Sequence, residues 1–290
     1  MPTKQRKVEV YRLTISGLEQ DSNYGRFVLD VRRKARRLSD LAMKAGDKSY
    51  VLSEAKLEHN YLRLRFMSFT KGYRPDVLDT EAFHVQPNPL TDTQTSVEWT
   101  HLLGRRCGVR YMMLIERNQR GIWPSSVEHY LQWMIDKFHN ENTSNAAEPV
   151  TVSLEAEPGP EFIRRLGTLD RITEATVRIV RPNPGWQDLD TELGIVARES
   201  DAHKAEVTLR ARRRSSLKRQ GGFIQWIRSK LGRGELGYAA IKGRRGVERD
   251  SFNTEKLGKH ALLDFEINDR GQVTTTDVWT KMTRMMDDLQ

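Results

Sequence analysis

The chain has 290 residues, 37% hydrophobic and 30% charged, and its six Trp, eight Tyr and nine Phe supply enough large side chains to offset chain entropy on folding. A single cysteine, Cys107, excludes an internal disulfide, a cysteine-cluster zinc site and a thiol redox pair. The net charge of 48 − 39 = +9 is concentrated, because Arg210–Arg249 carries thirteen Lys or Arg against Glu235 and Glu248, 13 − 2 = +11, which leaves −2 for the other 250 residues. An excess confined to one segment is the footprint of a polyanion-binding surface. The longest apolar runs, such as Val109–Ile115, fall far short of the roughly 20 residues that cross a bilayer, and the opening MPTKQRKVEV has no apolar signal core. No membrane insertion and a cytoplasmic location are expected.

In chain order, KVEVYRLTI places Val8 and Val10 on one face and Tyr11, Leu13 and Ile15 on the other, predicting a strand apolar on both sides. In RFVLDVRRKARRLSDLAMKAG the residues Phe27, Val31, Ala35, Leu38 and Ala42 recur at helical spacing, with Arg32, Arg33, Arg36 and Arg37 on other faces and Gly46 as the stop. One long helix is predicted there. Ser49–Phe69 reads as a hairpin turning at Glu58-His59-Asn60, and Lys71–Thr95, with Pro75, Pro87 and Pro89, as surface loop around a short strand at Ala82–Val85. VRYMMLIERN predicts a buried strand. Pro124 then opens a helix with Val127, Tyr130, Leu131, Met134 and Phe138 on one side.

The small, polar stretch Asn140–Pro149 is the expected domain boundary. A strand (VTVSLEAE), a helix (PEFIRRLGTL) and a strand (ITEATVRIVRP) follow, an order that can form a parallel pair with a right-handed crossover. A further helix is expected around Leu189–Glu199. EVTLRARRR alternates Val207, Leu209 and Ala211 against Arg210, Arg212 and Arg214, so a strand would carry three arginines on one face. After Gly221-Gly222, FIQWIRSKLG repeats Phe223, Ile227 and Leu231 as a short amphipathic helix ended by Gly232. ELGYAAIKG and HALLDFEIND read as strands, DRGQ as a turn and DVWTKMTRMMDDL as the closing helix.

Signatures of nucleotide-driven or hydrolytic chemistry are missing: there is no glycine-rich phosphate loop in strand-to-helix register, no Gly-x-Ser-x-Gly elbow and no His-Glu-x-x-His pair. His129 and His139 lie about three helical turns apart and cannot share an ion. No metal, cofactor or catalytic residue is expected. Cys107 follows Arg105 and Arg106, a neighbourhood that could activate a thiol, but a small buried thiol with a packing role is the expectation. Two patterns point toward a nuclease. RESDAH, Arg198–His203, has the Arg-to-His spacing of HEPN-type ribonucleases, and DSFNTEK sets acids beside Lys256 as a magnesium site would. The first is read in preference as a solvated helix end, and the second has no apolar strand around its acids.

The basic segment is the stronger signal, since clustered cations that neutralise phosphates give salt-dependent, sequence-independent affinity. Trp226, Phe223 and Tyr238 are interleaved with it and could stack on unpaired bases, although Phe223 and Ile227 have core spacing and Trp226 could pack beside them. The first-helix arginines read as an ordinary solvated face.

The order of MLIERNQRGIWPSSVEHYLQWMI and VTVSLEAEPGPEFIRRLGTLDRITEATVRIVRPNP, spanning Met113–Pro184, resembles in layout the RexA-type phage-exclusion proteins. That resemblance implies a dimeric, non-enzymatic, weakly sequence-selective DNA binder in anti-phage defence, with a second defence-system protein as a further partner. The expectation is an α+β protein with mixed sheets and packed helices, divided into an N-terminal domain (1–145) and a basic C-terminal domain (146–290). It would bind DNA, or RNA, through Arg210, Arg212, Arg213, Arg214, Lys218, Arg219, Trp226, Arg228 and Lys230, with Lys242, Arg244 and Arg245 on a neighbouring loop. A nuclease effector is the alternative, and an acidic protein partner for the basic surface a third reading.

Overall fold

The computed structural model describes residues 2–18, 23–73, 75–91, 93–142, 149–180, 204–232 and 236–289. The protein is α+β, and strand β1 (Thr3–Ser16) organises it. As its two-sided pattern requires, Val8 and Val10 are buried in one core and Leu13 and Ile15 in another. On one edge β1 pairs with β8 (Arg110–Glu116), which continues through β7 (Glu98–Cys107), β4 (Tyr61–Thr70), β3 (Lys48–Glu58) and β2 (Ala42–Ala45). Its other edge is shared by β9 (Thr151–Ala156), opposite Tyr11–Ser16, and β14 (His260–Glu266), opposite Thr3–Glu9. Every pairing is antiparallel. Helices α1 (Tyr24–Arg33) and α2 (Pro124–Phe138) cover one face, and the closing helix, residues 275–287, covers the other through Val278, Met282 and Met286. A small hairpin, β5 (Val77–Asp79) and β6 (His84–Gln86), stands apart and exposed.

The predicted long helix is cut short. Asn23 caps α1 by accepting a 3.1 Å bond from the Arg26 amide, but the helix stops at Arg33, and Leu38 is exposed. Tertiary bonds override the helical spacing. Tyr130 Oη, fully buried, donates to the Leu41 carbonyl at 2.7 Å and accepts from the Leu52 amide at 3.0 Å, taking an acceptor that a continued helix would need. Residues 42–45 then pair with β3 as an edge strand. No sequence pattern announces strand β7, although Leu102 and Leu103 are completely buried on its opposite faces. The Glu58–Asn60 turn is where the hairpin reading put it, with His59 and Asn60 at φ 49° and 68°.

The second sheet lies between β9 and β14 in sequence. It has the order β11-β10-β12-β13, from β10 (Arg171–Val180), β11 (Lys204–Arg210), β12 (Tyr238–Arg245) and β13 (Glu248–Asn253). Helices α3 (Pro160–Thr168) and α4 (Gly222–Gly232) pack Phe162, Leu166, Ile224, Ile227 and Leu231 on one face of it, against Ala175, Val177, Ala239 and Ile241. Entry and exit leave the first sheet side by side: the Glu157 amide bonds Val10 O, the Lys259 amide bonds Glu157 O, and Pro158 bridges Gly258.

The expected division at 145/146 does not follow this hydrogen bonding. Strand β9 returns to β1 and is held by α2, whose Gln132 and Glu128 side chains accept from the Val152 and Leu154 amides at 2.7 and 2.8 Å. Strand β14 and the closing helix return as well, so the second sheet with its helices is an insertion over residues 160–257. The strand-helix-strand order therefore gives no parallel pair: β9 and β10 belong to different sheets. The helix expected around Leu189–Glu199 and the RESDAH motif lie outside the described residues. Among the described residues no helix is long and apolar enough to cross a membrane.

Candidate nucleic-acid interface

Strands β10–β13 bury one face and leave the other open, so alternate residues of each strand project outward in register. Arg210, Glu174, Lys242 and Ser251 form one row across the four strands, and Thr208, Thr176, Ala240 and Asn253 the next. Beyond the first row stand Arg171, Arg244 and Arg249, also opposite one another. A bulge between Ile172 and Glu174 keeps both Ile172 and Ala175 on the buried face while Arg171 and Glu174 stay on the open one.

Glu174 sits between two cations, with Lys242 Nζ at 2.7 Å and Arg210 Nε at 2.8 Å. The Lys242 hydrogen bond holds its carboxyl below the usual range, desolvation opposes this, and the Arg210 bond adds to it. At the far end of the open face Arg178 bonds Glu206 at 2.8 Å and lies over the Tyr238 ring at 4.2 Å. One end of the face is thus charge-balanced and the other strongly cationic.

The predicted arginine strand ends at Arg210. From there the chain is stitched along the start of β10: the Ala211 amide bonds Thr173 O, Arg171 Nε bonds Ser215 O, and the Leu217 amide bonds Ile172 O. A turn closed by the Ser215 amide on Arg212 O presents Arg212, Arg213 and Arg214, all exposed, beside Arg171. Arg214 has φ 62°, a left-handed conformation that costs a non-glycine residue about 1 kcal/mol. Lost β-alternation does not disperse the arginines, because the turn brings them to the end of the sheet that carries Arg244.

Six arginines, Arg212, Arg213, Arg214, Arg244, Arg245 and Arg249, are exposed there, and no carboxylate among the described residues pairs with any of them. Adding Arg171, Arg210 and Lys242 and subtracting Asp170, Glu174 and Glu248 gives 9 − 3 = +6. Lys218 is exposed and Arg219 half-exposed in the loop leading to α4.

The remaining expected residues turn away. Helix α4 packs on the covered face, with Trp226 half-buried against the core and stacked on Phe223, their rings 5.7 Å apart and 6° from parallel. Lys230 is 7% exposed, and the half-buried Arg228 has its Nε shielded from solvent. These three belong to the packing of α4, because a helix that must cover a sheet turns its long side chains along the apolar surface. Sequence reading missed Arg171 and the counter-charge Glu174. Only strand register could have revealed them, through Arg171 opposite Arg244 and Glu174 opposite both Arg210 and Lys242.

The magnesium reading of DSFNTEK separates in space. Asp250 faces α3 and accepts both Arg165 Nε at 3.0 Å and Nη2 at 2.5 Å, whereas Glu255 reaches Arg178 at 3.7 Å. Among the described residues no group of three or more His, Cys, Asp or Glu could hold a metal ion. Burial pushes the Cys107 thiol up, against the pull of Arg105 and Arg110, so its thiolate is disfavoured. No protein-family model matches the chain, and no curated protein is similar to it.

Proposed function

We propose that the protein binds DNA through the cationic end of the second sheet, gripping phosphates with little preference for sequence. The observation that carries this reading is the set of six exposed arginines that no carboxylate among the described residues pairs with, from two separate segments, the 212–215 turn and the β12–β13 hairpin. Guanidinium groups free of internal ion pairs retain their full capacity for bidentate phosphate contacts. Such contacts position a protein on the backbone and carry no base information.

Aromatic placement favours a duplex over an unpaired strand. Among the described residues the open face has one aromatic, Tyr238, and Arg178 already covers its ring, while Trp226 and Phe223 are engaged on the other side of the sheet. With no stacking platform among the described residues, phosphate contact is the means of binding that this face supports. The resemblance to RexA-type proteins extends the proposal to a homodimer acting in phage exclusion.

An electrophoretic shift assay on duplex and single strands tests the reading. The full chain shifts duplex at low salt, and the triple variant Arg212→Glu, Arg213→Glu, Arg214→Glu loses at least about 100-fold in affinity, roughly eight-fold for each phosphate contact removed at about 0.1 M salt. An unchanged shift by the folded variant overturns the proposal, and degraded nucleic acid would favour the nuclease alternative.

A further inference from the structure

Far from the cationic sheet, a hydroxyl, an imidazole and a carboxylate are linked in series. Glu116 is completely buried and accepts three bonds: from Arg6 Nη1 at 2.7 Å, from the His101 amide at 3.1 Å and from His101 Nδ1 at 2.7 Å. With Nδ1 turned to the Glu116 carboxylate, Nε2 is the ring nitrogen that faces the hydroxyl. Thr275 Oγ1 lies 3.2 Å from that Nε2. Trp279 packs edge-on against the ring at 5.0 Å, fixing its plane. A base oriented by a buried acid and bonded to a hydroxyl is the constellation that activates an oxygen nucleophile.

The surroundings supply the other parts such a group needs. Thr275 is half-exposed and borders a cleft of about 400 Å³ that also receives Lys4, Arg6, Arg65 and Arg270, against the one carboxylate of Glu98. It opens helix α5 (Thr275–Asp287), whose N-cap Thr274 makes no side-chain capping bond. The first amides of a helix have no intrahelical acceptor, so those next to Thr275 in the chain are donors that an oxyanion could use. The turn before it is fixed by Asn268, which accepts from the Arg270 and Gln272 amides at 3.0 and 3.1 Å, and by the Ile267–Val273 bridge. Arg65 lies 3.8 Å over the Trp99 ring, which holds its cationic head at the cleft.

We infer that Thr275, His101 and Glu116 form a hydrolytic site for carboxylic esters that carry a second, anionic group. Thr275 Oγ1 forms a bond to the ester carbonyl carbon while its proton passes to His101 Nε2. Collapse of the tetrahedral intermediate breaks the bond to the alcohol, which leaves with that proton. Water, deprotonated by the same nitrogen, then attacks the threonyl ester, and Oγ1 departs with the proton returned to it. Glu116 holds the ring and balances the imidazolium, and Arg65 and Lys4 attract the anionic group. This activity is independent of DNA binding and uses none of the same residues.

The test compares the full chain with Thr275→Ala and Thr275→Ser on the mono-p-nitrophenyl ester of succinate and on p-nitrophenyl butyrate, with circular dichroism confirming the fold of each. Wild type and Thr275→Ser turn over the succinate ester, and Thr275→Ala falls by about 10²-fold or more to the uncatalysed rate. Intact mass after a short reaction shows one succinyl group, mapped to Thr275. Arg65→Ala raises KM for the succinate ester more than for the butyrate ester. If folded wild type hydrolyses the succinate ester no faster than Thr275→Ala, the inference is overturned and the Thr275 hydroxyl only completes the hydrogen bonding of a packed histidine.

Discussion

Replacing Glu174 by glutamine removes the carboxylate that holds Lys242 at 2.7 Å and Arg210 at 2.8 Å, and leaves a side chain of nearly the same shape. Both cations project from the open face in the row next to Arg244, so both become available to phosphate. Each additional phosphate neutralised steepens the salt dependence by about 0.9, which at about 0.1 M salt corresponds to roughly eight-fold in affinity, and two contacts to about 60-fold. The pairs are exposed on the cation side, so the fold itself loses no more than about 1 kcal/mol. Fluorescence anisotropy with a labelled duplex reads the affinity, and thermal unfolding confirms the fold. Tighter binding with a steeper salt slope is expected. Unchanged or weaker binding by a folded Glu174→Gln variant would refute the idea that internal carboxylates compete with phosphate for this surface.

Other consequences concern the scaffold. Tyr130→Phe leaves the buried Leu52 amide and Leu41 carbonyl without their shared partner and costs about 2 kcal/mol, measurable by urea unfolding; no loss would mean that the bond does not hold the 38–41 turn. The Arg165 hydrogen bonds hold the Asp250 carboxyl below its usual range, so their stabilisation is complete above the unfolded value near about 4 and is lost as pH falls through the folded value. Asp250→Asn accordingly lowers stability by about 1–2 kcal/mol at neutral pH, and its unfolding curve converges with wild type in acid. A Cβ on Gly243 would stand 2.5 Å from the Arg171 carbonyl, so Gly243→Ala costs about 1–3 kcal/mol and, by shifting β12 beside Arg244, weakens DNA binding in the same anisotropy assay.

Much of the fold is legible in the sequence where one pattern acts alone. The two-sided burial of β1, the proline start of α2, the short helix α4 ended by Gly232 and the α+β class follow from periodicity and caps. What could not be read is long-range. Helical spacing across residues 27–42 competes with a Tyr130 hydroxyl supplied from 89 residues away, and the hydroxyl wins. Glu9 and Tyr11 give no sign that their strand will receive both β9 and β14 on one edge, which makes residues 160–257 an insertion and moves the division away from 145/146. At the cationic site the charge run is visible in sequence, but its sorting is not: packing of α4 withdraws Trp226 and Lys230, and register adds Arg171 and Glu174. The Thr275–His101–Glu116 series joins three distant positions through a β7–β8 register and a helix start, and no local motif announces it.

The central claim, that the six exposed arginines at the end of the second sheet grip phosphates, is tested most directly by the slope of log K against log salt for the full chain on a duplex of about 30 base pairs. Six phosphate contacts predict a slope of about −5 and a loss of roughly 10³-fold in affinity between about 50 and 200 mM salt. A slope near zero, or no binding at about 50 mM, would contradict it.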